Sequence, residues 1–523
     1  MDAIRLSIFA NRINAICEEM GATLQKSAFS PNIRDRLDYS CAVFDADGQL
    51  CAQAAHIPVH LGSMAFAMAD VVSAFDWAEG DMVVFNDPYR GGTHLPDVTL
   101  VAPVFVEEKL LGFVANRAHH ADIGAESPGS MPLSSSLLEE GLLIEPVRLI
   151  SNNELRQDVF GRLMQPMRNS NESSGDFIAQ IAANRRGLQR LAVLVEKTGI
   201  EEYRQSLRAL NDYAANLAKS SLKRIADGAY IFEDVLDDDG QGHRDIVIRV
   251  RISCQDGEIS VDFAGSAPQV KGNINCPLSV TAAAVYYVFR CLMPPQTPAC
   301  AGSFRHIQLS APAQSVVNAS YPAAVTAGNV ETSTRIVDVI LGALAQALPE
   351  VIPAASHGSM NNLAMGYAGD AGHASWDYYE TIGGGMGASK CSDGLDGVQT
   401  HMTNTLNTPI ESLEMKYPLR IKRYQLREGS GGTGKHRGGN GLVREYEFLG
   451  PAQVTILSER RDHAPWGLAG GEAGKPGRNL LNGRELAAKH TFSVAPGDTV
   501  CIETPGGGGH GHGGAMPMPV NSE

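Results

Sequence analysis

The sequence lacks any long apolar run: nowhere in its 523 residues does a stretch approach the ~18 consecutive apolar positions that cross a bilayer as a helix. Positive charge is also short. With 43 Lys and Arg against 58 Asp and Glu, the formal charge is -15, which opposes attraction to phosphate backbones and anionic membranes. Neither a nucleic-acid partner nor a membrane partner is expected. Asp2, Arg5 and Arg12 interrupt any signal-peptide core at the N-terminus, so a cytoplasmic location is expected. The nine cysteines form no Cys-x-x-Cys pair, and their odd number fits no disulfide framework; zinc ribbons and thioredoxin-like centres are excluded. A Gly-x-Ser-x-Gly elbow is missing, and no cysteine stands in a protease-like context, which disfavours covalent Ser or Cys catalysis. What remains is ordinary for a folded protein, with 43% hydrophobic and 19% charged residues and enough length for several core-sized regions.

Apolar spacing gives the organisation. Leu6, Phe9, Ile13, Ile16, Met20 and Leu24 recur at steps of three and four, which predicts one amphipathic helix over 5–26. Two short apolar runs flank Asp47-Gly48, a hairpin signal, with Asp38 at the start of the first strand. Strands are expected at 82–85, 98–105 and 111–117, framing the polar loop NDPYRGGTHLP. Between 173 and 227 the rhythm is helical, broken near Gly199, with Ser173 and Asp176 at capping-box-like spacing. Period-two alternation at Ile246, Ile248, Val250 and Ile252 and an Asp256-Gly257 turn predict a hairpin. Helical patches follow at 278–292 and 332–347, then glycine-dense strand and loop. The expected fold class is α+β: an N-terminal α/β region with a helical segment (1–228), a central α+β region (229–420) and a glycine-rich β/loop region (421–523). The last dozen residues read as mobile.

Chemistry concentrates between Asp87 and Gly124. His94, Asp97, His119, His120 and Asp122 sit beside predicted strand ends, where a rigid scaffold fixes polar groups. Imidazole and carboxylate suit zinc, manganese or ferrous iron, and the His-x-x-Asp step lets two side chains of one loop reach one ion. Neighbours on an extended segment face opposite ways, so one of His119 and His120 can ligate while the other does not; spacing alone leaves open which. Asp38, if turned inward, completes a set of two carboxylates and two imidazoles. Gly429–Lys435 follows G-x-x-x-x-G-K, but His436 stands where Ser or Thr should hold magnesium, and no helix signal follows. The tracts at 381–389 and 505–511 read as structural turns. His510 and His512 are left out of the site as too flexible, and Arg460 to His463 reads as a surface ion-pair turn.

The blocks RDRLDYSCAVFDADGQLCAQAAHIPVHLGSM, NDPYRGGTHLPDVTLV, NRAHHADIG, GNVETSTRIVD, GSGGTGKHRGGNG and LSERRDHAPWG resemble the hydantoinase B/oxoprolinase family across nearly the whole chain. That resemblance implies a B-type subunit of an ATP-dependent cyclic-amide hydrolase. A hydantoinase A-type partner would bind ATP and phosphorylate the amide oxygen of a hydantoin, 5-oxoproline or other lactam, and this chain would complete hydrolysis within a hetero-oligomer. It implies one divalent metal ion held by Asp38, His94, Asp97 and His119, with His120 and Asp122 as candidates for proton transfer or ligand orientation. Two rivals share the resemblance: a subunit of an ATP-dependent ketone carboxylase, and a non-catalytic scaffold.

Overall fold

Six apolar positions on one stripe wind Ala3–Ser27 into a helix whose Phe9, Ile13, Ile16, Met20 and Leu24 are buried. It lies against the helix Ser170–Thr198, and both cover one face of a seven-stranded antiparallel sheet. The computed structural model describes residues 2–55, 57–60, 62–370 and 374–513; the expectation for the last dozen residues falls mostly outside them. In chain order the sheet's strands are β1 (Tyr39–Asp45), β2 (Leu50–Ala55), β3 (Met82–Phe85), β4 (Asp97–Val106), β5 (Lys109–His119), β6 (Val147–Ser151) and β7 (Glu154–Leu155). In space they run β2-β1-β5-β4-β3-β6-β7.

The two-residue strand period sorts side chains between the two faces. Val98, Leu100, Ala102, Val114 and Ala118 pack under the two helices. Val101, Phe113 and Ala115 face the other way, towards Met64, Ala67 and Met68 of the helix Ser63–Ser73. Both faces are therefore covered, and the strand ends are held by packing on two sides. The β1–β2 hairpin turns where Gly48 takes φ +77°.

Three further sheets occur among the described residues. The hairpin of Arg244–Gln255 and Glu258–Asp262 turns at Asp256-Gly257 as its spacing predicts. With two flanking strands it packs on the helices Leu278–Cys291 and Ser333–Leu344. The other two sheets belong to the last third of the chain and share one core around Tyr446, Phe448, Val454 and Ile502. The architecture is α+β.

Several local readings need correction. The helix before Gly199 begins at Ser170, capped by the Asn169 side chain, so Ser173 and Asp176 lie inside it. Asp176 instead accepts hydrogen bonds from the backbone N–H groups of Phe29 and Ser30. A short helix, Ile410–Lys416, interrupts the expected strand-and-loop texture. Arg460 is not at the surface: it is 1% exposed and sits between Asp234 (2.8 Å) and Asp338 (2.6 Å). The tracts at 381–389 and 505–511 are mainly close backbone contacts rather than turns, packed with the glycines of 431–439. Segments near 385, 431–439 and 506–509 hydrogen-bond through Gly439 N to Met386 O, Gly507 N to Gly439 O and Gly432 N to Gly507 O. His510 is buried there, its backbone paired with His436, which corrects the flexible-tail reading of that residue.

Candidate metal centre

The loop between β3 and β4 is fixed from within. Asn86 donates to Leu95 O and Leu142 O and accepts from Ile144 N. Gly91 takes φ +87° so close to the Ser63–Ser73 helix that a Cβ would meet Ala67 Cα at 2.3 Å; no other residue fits. These anchors deliver His94 to the end of β4, where Asp97 stands directly opposite His119 of β5. Asp38 adjoins them, because its carbonyl accepts from the His119 N–H.

Three ligand atoms converge. His94 Nε2 lies 3.2 Å from His119 Nδ1 and 3.3 Å from Asp97 Oδ1, and His119 Nδ1 lies 3.2 Å from the same oxygen. Ligands about 2.0–2.2 Å from one ion stand about 3–3.5 Å apart, so the triangle fits three sites on one divalent cation. All three residues are buried. Asp38 lines the same cavity, together with His60, Asp97 and His119, but stands outside the triangle, whose atoms all lie within 4.8 Å of one another. The cavity holds about 20 Å³, room for a water.

Supporting contacts prepare the three side chains. His94 Nδ1 faces the Thr326 carbonyl at 3.3 Å, which can only accept, so Nδ1 donates there and Nε2 is the nitrogen turned towards Asp97 and His119. Thr93 Oγ1 donates to Asp97 Oδ2, and His60 Nε2 approaches the same oxygen at 3.4 Å. His60 in turn meets Ser40 through Nδ1. Tyr379 stacks on His119 with ring centroids 4.9 Å apart and planes 15° from parallel. Arg36 lies over the Tyr379 ring. Burial pushes the Asp97 carboxyl up, but the charge of His94 and the hydrogen bonds of His119, His60 and His94 outweigh it and hold Asp97 well below the usual carboxylate range. Burial lowers His119; for His94 burial acts in the same direction, and the charge of Asp97 overcomes it, leaving that histidine raised.

The remaining sequence candidates face elsewhere. His120 points to the helix side, with Nε2 2.9 Å from Gln180 Oε1 and its ring against Phe177. Asp122 accepts from the N–H groups of Gly124, Arg168 and Asn169, tying a turn to the start of the Ser170–Thr198 helix. Neither lines the cavity. Residues not picked out from sequence take part instead: His60, Thr93, Tyr379 and Asn329. Thr93 adjoins His94 and His60 lies in a block already singled out, so both carried a weak signal. Asn329, from the π-helical turn Gly328–Thr332, a geometry frequent at functional sites, lies in the GNVETSTRIVD block and carried the same weak signal; Tyr379 comes from a sheet of the last third and carried no local signal.

A buried triangle of two imidazoles and a carboxylate at the end of an antiparallel sheet could hold a metal ion. The chain belongs to the hydantoinase B/oxoprolinase family, whose model matches residues 2–513. It is 40% identical over 540 residues to 5-oxoprolinase 1 of Arabidopsis thaliana, covering 97% of this chain and 42% of that longer protein. A Pseudomonas sp. protein provisionally assigned as the B-type subunit of a D-/L-hydantoinase is 31% identical over 506 residues, covering 93% of this chain and 84% of that one. Among solved structures, the ATP-dependent caprolactamase from Pseudomonas jessenii superposes with a TM-score of 0.90 at 28% identity, covering 98% of this chain and 91% of that chain.

Proposed function

We propose that this chain is the B-type subunit of an ATP-dependent cyclic-amide hydrolase, opening a ring that an A-type partner has activated by phosphorylating the amide oxygen. The observation that carries the reading is the triangle of His94 Nε2, Asp97 Oδ1 and His119 Nδ1, with edges of 3.2–3.3 Å. The relatives named for hydantoinase, oxoprolinase and caprolactamase activity supply the substrate class, a hydantoin, 5-oxoproline or other lactam. The tract at Gly429–Lys435 supports a separate ATP-binding partner. Its glycines are committed to backbone packing, since a Cβ at Gly431 would meet Gly438 O at 1.9 Å. Among the described residues no helix follows that tract, so it offers no helix N-terminus to a phosphate. Free cysteines throughout the described residues suit the reducing cytoplasm, where ATP is also available.

In this reading His94, Asp97 and His119 would hold one zinc, manganese or ferrous ion, which would supply the Lewis acidity that makes a water a nucleophile near neutral pH. Thr93 and His60 fix the Asp97 carboxylate, and the Thr326 carbonyl fixes the His94 tautomer. Tyr379 closes one side of the site over His119. Asp38, on the cavity wall but outside the triangle, is the carboxylate placed to take a proton from the attacking water. Addition of that water to the activated ring carbon and opening of the C–N bond leave an acyl phosphate and a free amine, and a second water cleaves the acyl phosphate to carboxylate and inorganic phosphate.

The test is reconstitution with an A-type subunit, following ATP-dependent ring opening and metal content together. Wild type should carry one divalent ion per chain, and His94→Ala should lose both the ion and turnover. Unchanged turnover in His94→Ala would favour a scaffold, and an absolute bicarbonate requirement would point to carboxylation.

A further inference from the structure

Three buried threonines, Thr381, Thr403 and Thr405, share the wall of the metal cavity. Their hydroxyls form a chain, with Thr381 Oγ1 2.6 Å from Thr405 Oγ1 and Thr405 Oγ1 3.4 Å from Thr403 Oγ1. Each hydroxyl brings one hydrogen, and a chain of three oxygens has two links, so at least one hydrogen points out of the chain. The groups around the threonines decide which one. Arg36 is fully buried, and a guanidinium can only donate. Its Nη2 donates to Thr381 Oγ1 at 3.2 Å and to Thr405 Oγ1 at 3.4 Å, and Gln399 Nε2 donates to Thr381 Oγ1 at 3.2 Å.

Donors therefore enter at the Thr381 end and set one direction for the whole chain. Arg36 and Gln399 occupy both lone pairs of Thr381, so its hydrogen goes to Thr405. Thr405 then accepts from Thr381 and Arg36, and its hydrogen goes to Thr403. Thr403 Oγ1 accepts that hydrogen and the Thr405 N–H at 3.5 Å, and makes no other hydrogen bond among the described residues. Its own hydrogen is the one left over. Thr403 borders two cavities, but Thr405 borders only the metal cavity, so the hydroxyl beside Thr405 is the end of Thr403 that faces the metal cavity. A space of about 20 Å³ holds a guest of about one water, in contact with the walls around it. Such a water accepts from Thr403 and donates to Asp38, two contacts of opposite sense that fix its orientation. As its proton passes to Asp38, negative charge grows on the oxygen and the hydrogen bond from Thr403 strengthens.

We propose that Thr403 is a catalytic residue, the hydrogen-bond donor that orients the attacking water against Asp38, with its hydrogen turned into the metal cavity by Arg36 and Gln399. The assignment rests on the proposed function for the reaction that the water enters. It deepens that reading by adding a donor opposite the base, one that belongs to the last third of the chain rather than to the His94–His119 region.

Fluoride tests the direction of that hydrogen, because it is water-sized and can only accept. Titrating fluoride into the isolated cobalt(II)-loaded chain, followed by visible absorption, should show saturable binding. Thr403→Val keeps the shape and removes the hydroxyl; it should weaken fluoride at least about tenfold with cobalt content unchanged. In the complex reconstituted with an A-type subunit, the same variant should lower kcat for ATP-dependent ring opening of 5-oxoproline or caprolactam about 100-fold, with KM unchanged. Thr403→Ser, which keeps the hydroxyl, should restore both fluoride binding and kcat. Equal fluoride affinity in wild type and Thr403→Val, or no fluoride binding to wild type, would overturn the proposal. The titration needs neither partner nor turnover, so the two readings fail separately. The expected fluoride loss in a protein whose reconstituted complex opens no ring would keep the donor and sink the hydrolase. Ring opening by wild type with an unchanged kcat in Thr403→Val would sink the donor and keep the hydrolase.

Discussion

The β4–β5 end and the glycine-packed layer of the last third are both buried and both hold functional-looking motifs, but they are built on opposite principles. At β4–β5 the backbone is regular and side chains carry the specificity: Asp97 and His119 face each other across one register pair. In the glycine layer the backbones themselves interdigitate, and the missing side chains are the design. A Cβ on Gly438 would meet Gly507 O at 1.9 Å, and one on Gly507 would meet Met386 O at 2.1 Å. The first region depends on which side chains meet across the ladder; the second has no room for a methyl group.

The largest expected effect breaks the second region. Gly438→Ala and Gly507→Ala should each destabilise by more than about 3 kcal/mol, since backbone cannot step aside as a side chain can. Gly483→Ala, which has φ +76° but nothing within 4 Å, should cost only about 1 kcal/mol. Urea unfolding of the three variants checks this, and equal losses would refute the packing argument.

Next comes the contrast of adjacent histidines. His119→Ala should lower metal affinity more than about 100-fold with a modest change in melting temperature. His120→Ala should keep the metal and lose about 1–3 kcal/mol of stability, because Gln180 Oε1 is left unpaired. Metal analysis and thermal melts on both proteins decide it; metal loss in His120→Ala alone would reverse the assignment. A smaller effect is expected from Thr93→Val, which removes the hydroxyl donor to Asp97 and should weaken metal binding about tenfold, read by competition with a chelator.

The smallest effect is a pH slope. Burial, reinforced by the charge of Glu459, pushes the Glu331 carboxyl up to about 8. Its folded-state pKa thus exceeds the ordinary value of 4.5, so the fold binds the proton more tightly than the unfolded chain does. This contribution to stability is full below pH 4.5 and is lost as pH rises to about 8. In Glu331→Gln that part of the slope should vanish, so the stability difference from wild type should shrink or reverse between pH 5 and about 8. A difference that stays constant over that range would show Glu331 ionised throughout.

How much was legible follows the same division. Helical spacing located Ala3–Ser27 and the break at Gly199, and alternation located the 244–262 hairpin, because those signals are local and repeat. The ligand-bearing segments stood out because polar residues are crowded at strand ends. The choice between His119 and His120 was open from spacing, and it is the register that turns His119 towards Asp97. Asn116, Ala118 and His120 share the helix-covered face, while Arg117 and His119 share the face of Asp97 and Thr99. Tyr379 had no local signature, since its place over His119 depends on a sheet remote in sequence. Arg460 was misplaced because its partners, Asp234 and Asp338, lie far away in the chain.

By itself the sequence determined the α+β class, the periodic elements and the crowding of imidazole and carboxylate at two strand ends, because each depends on residues within a few positions of one another. Tertiary structure alone decided which of those groups meet and what stacks over them. Those outcomes depend on strand register and on packing between segments hundreds of residues apart, and a linear spacing contains neither.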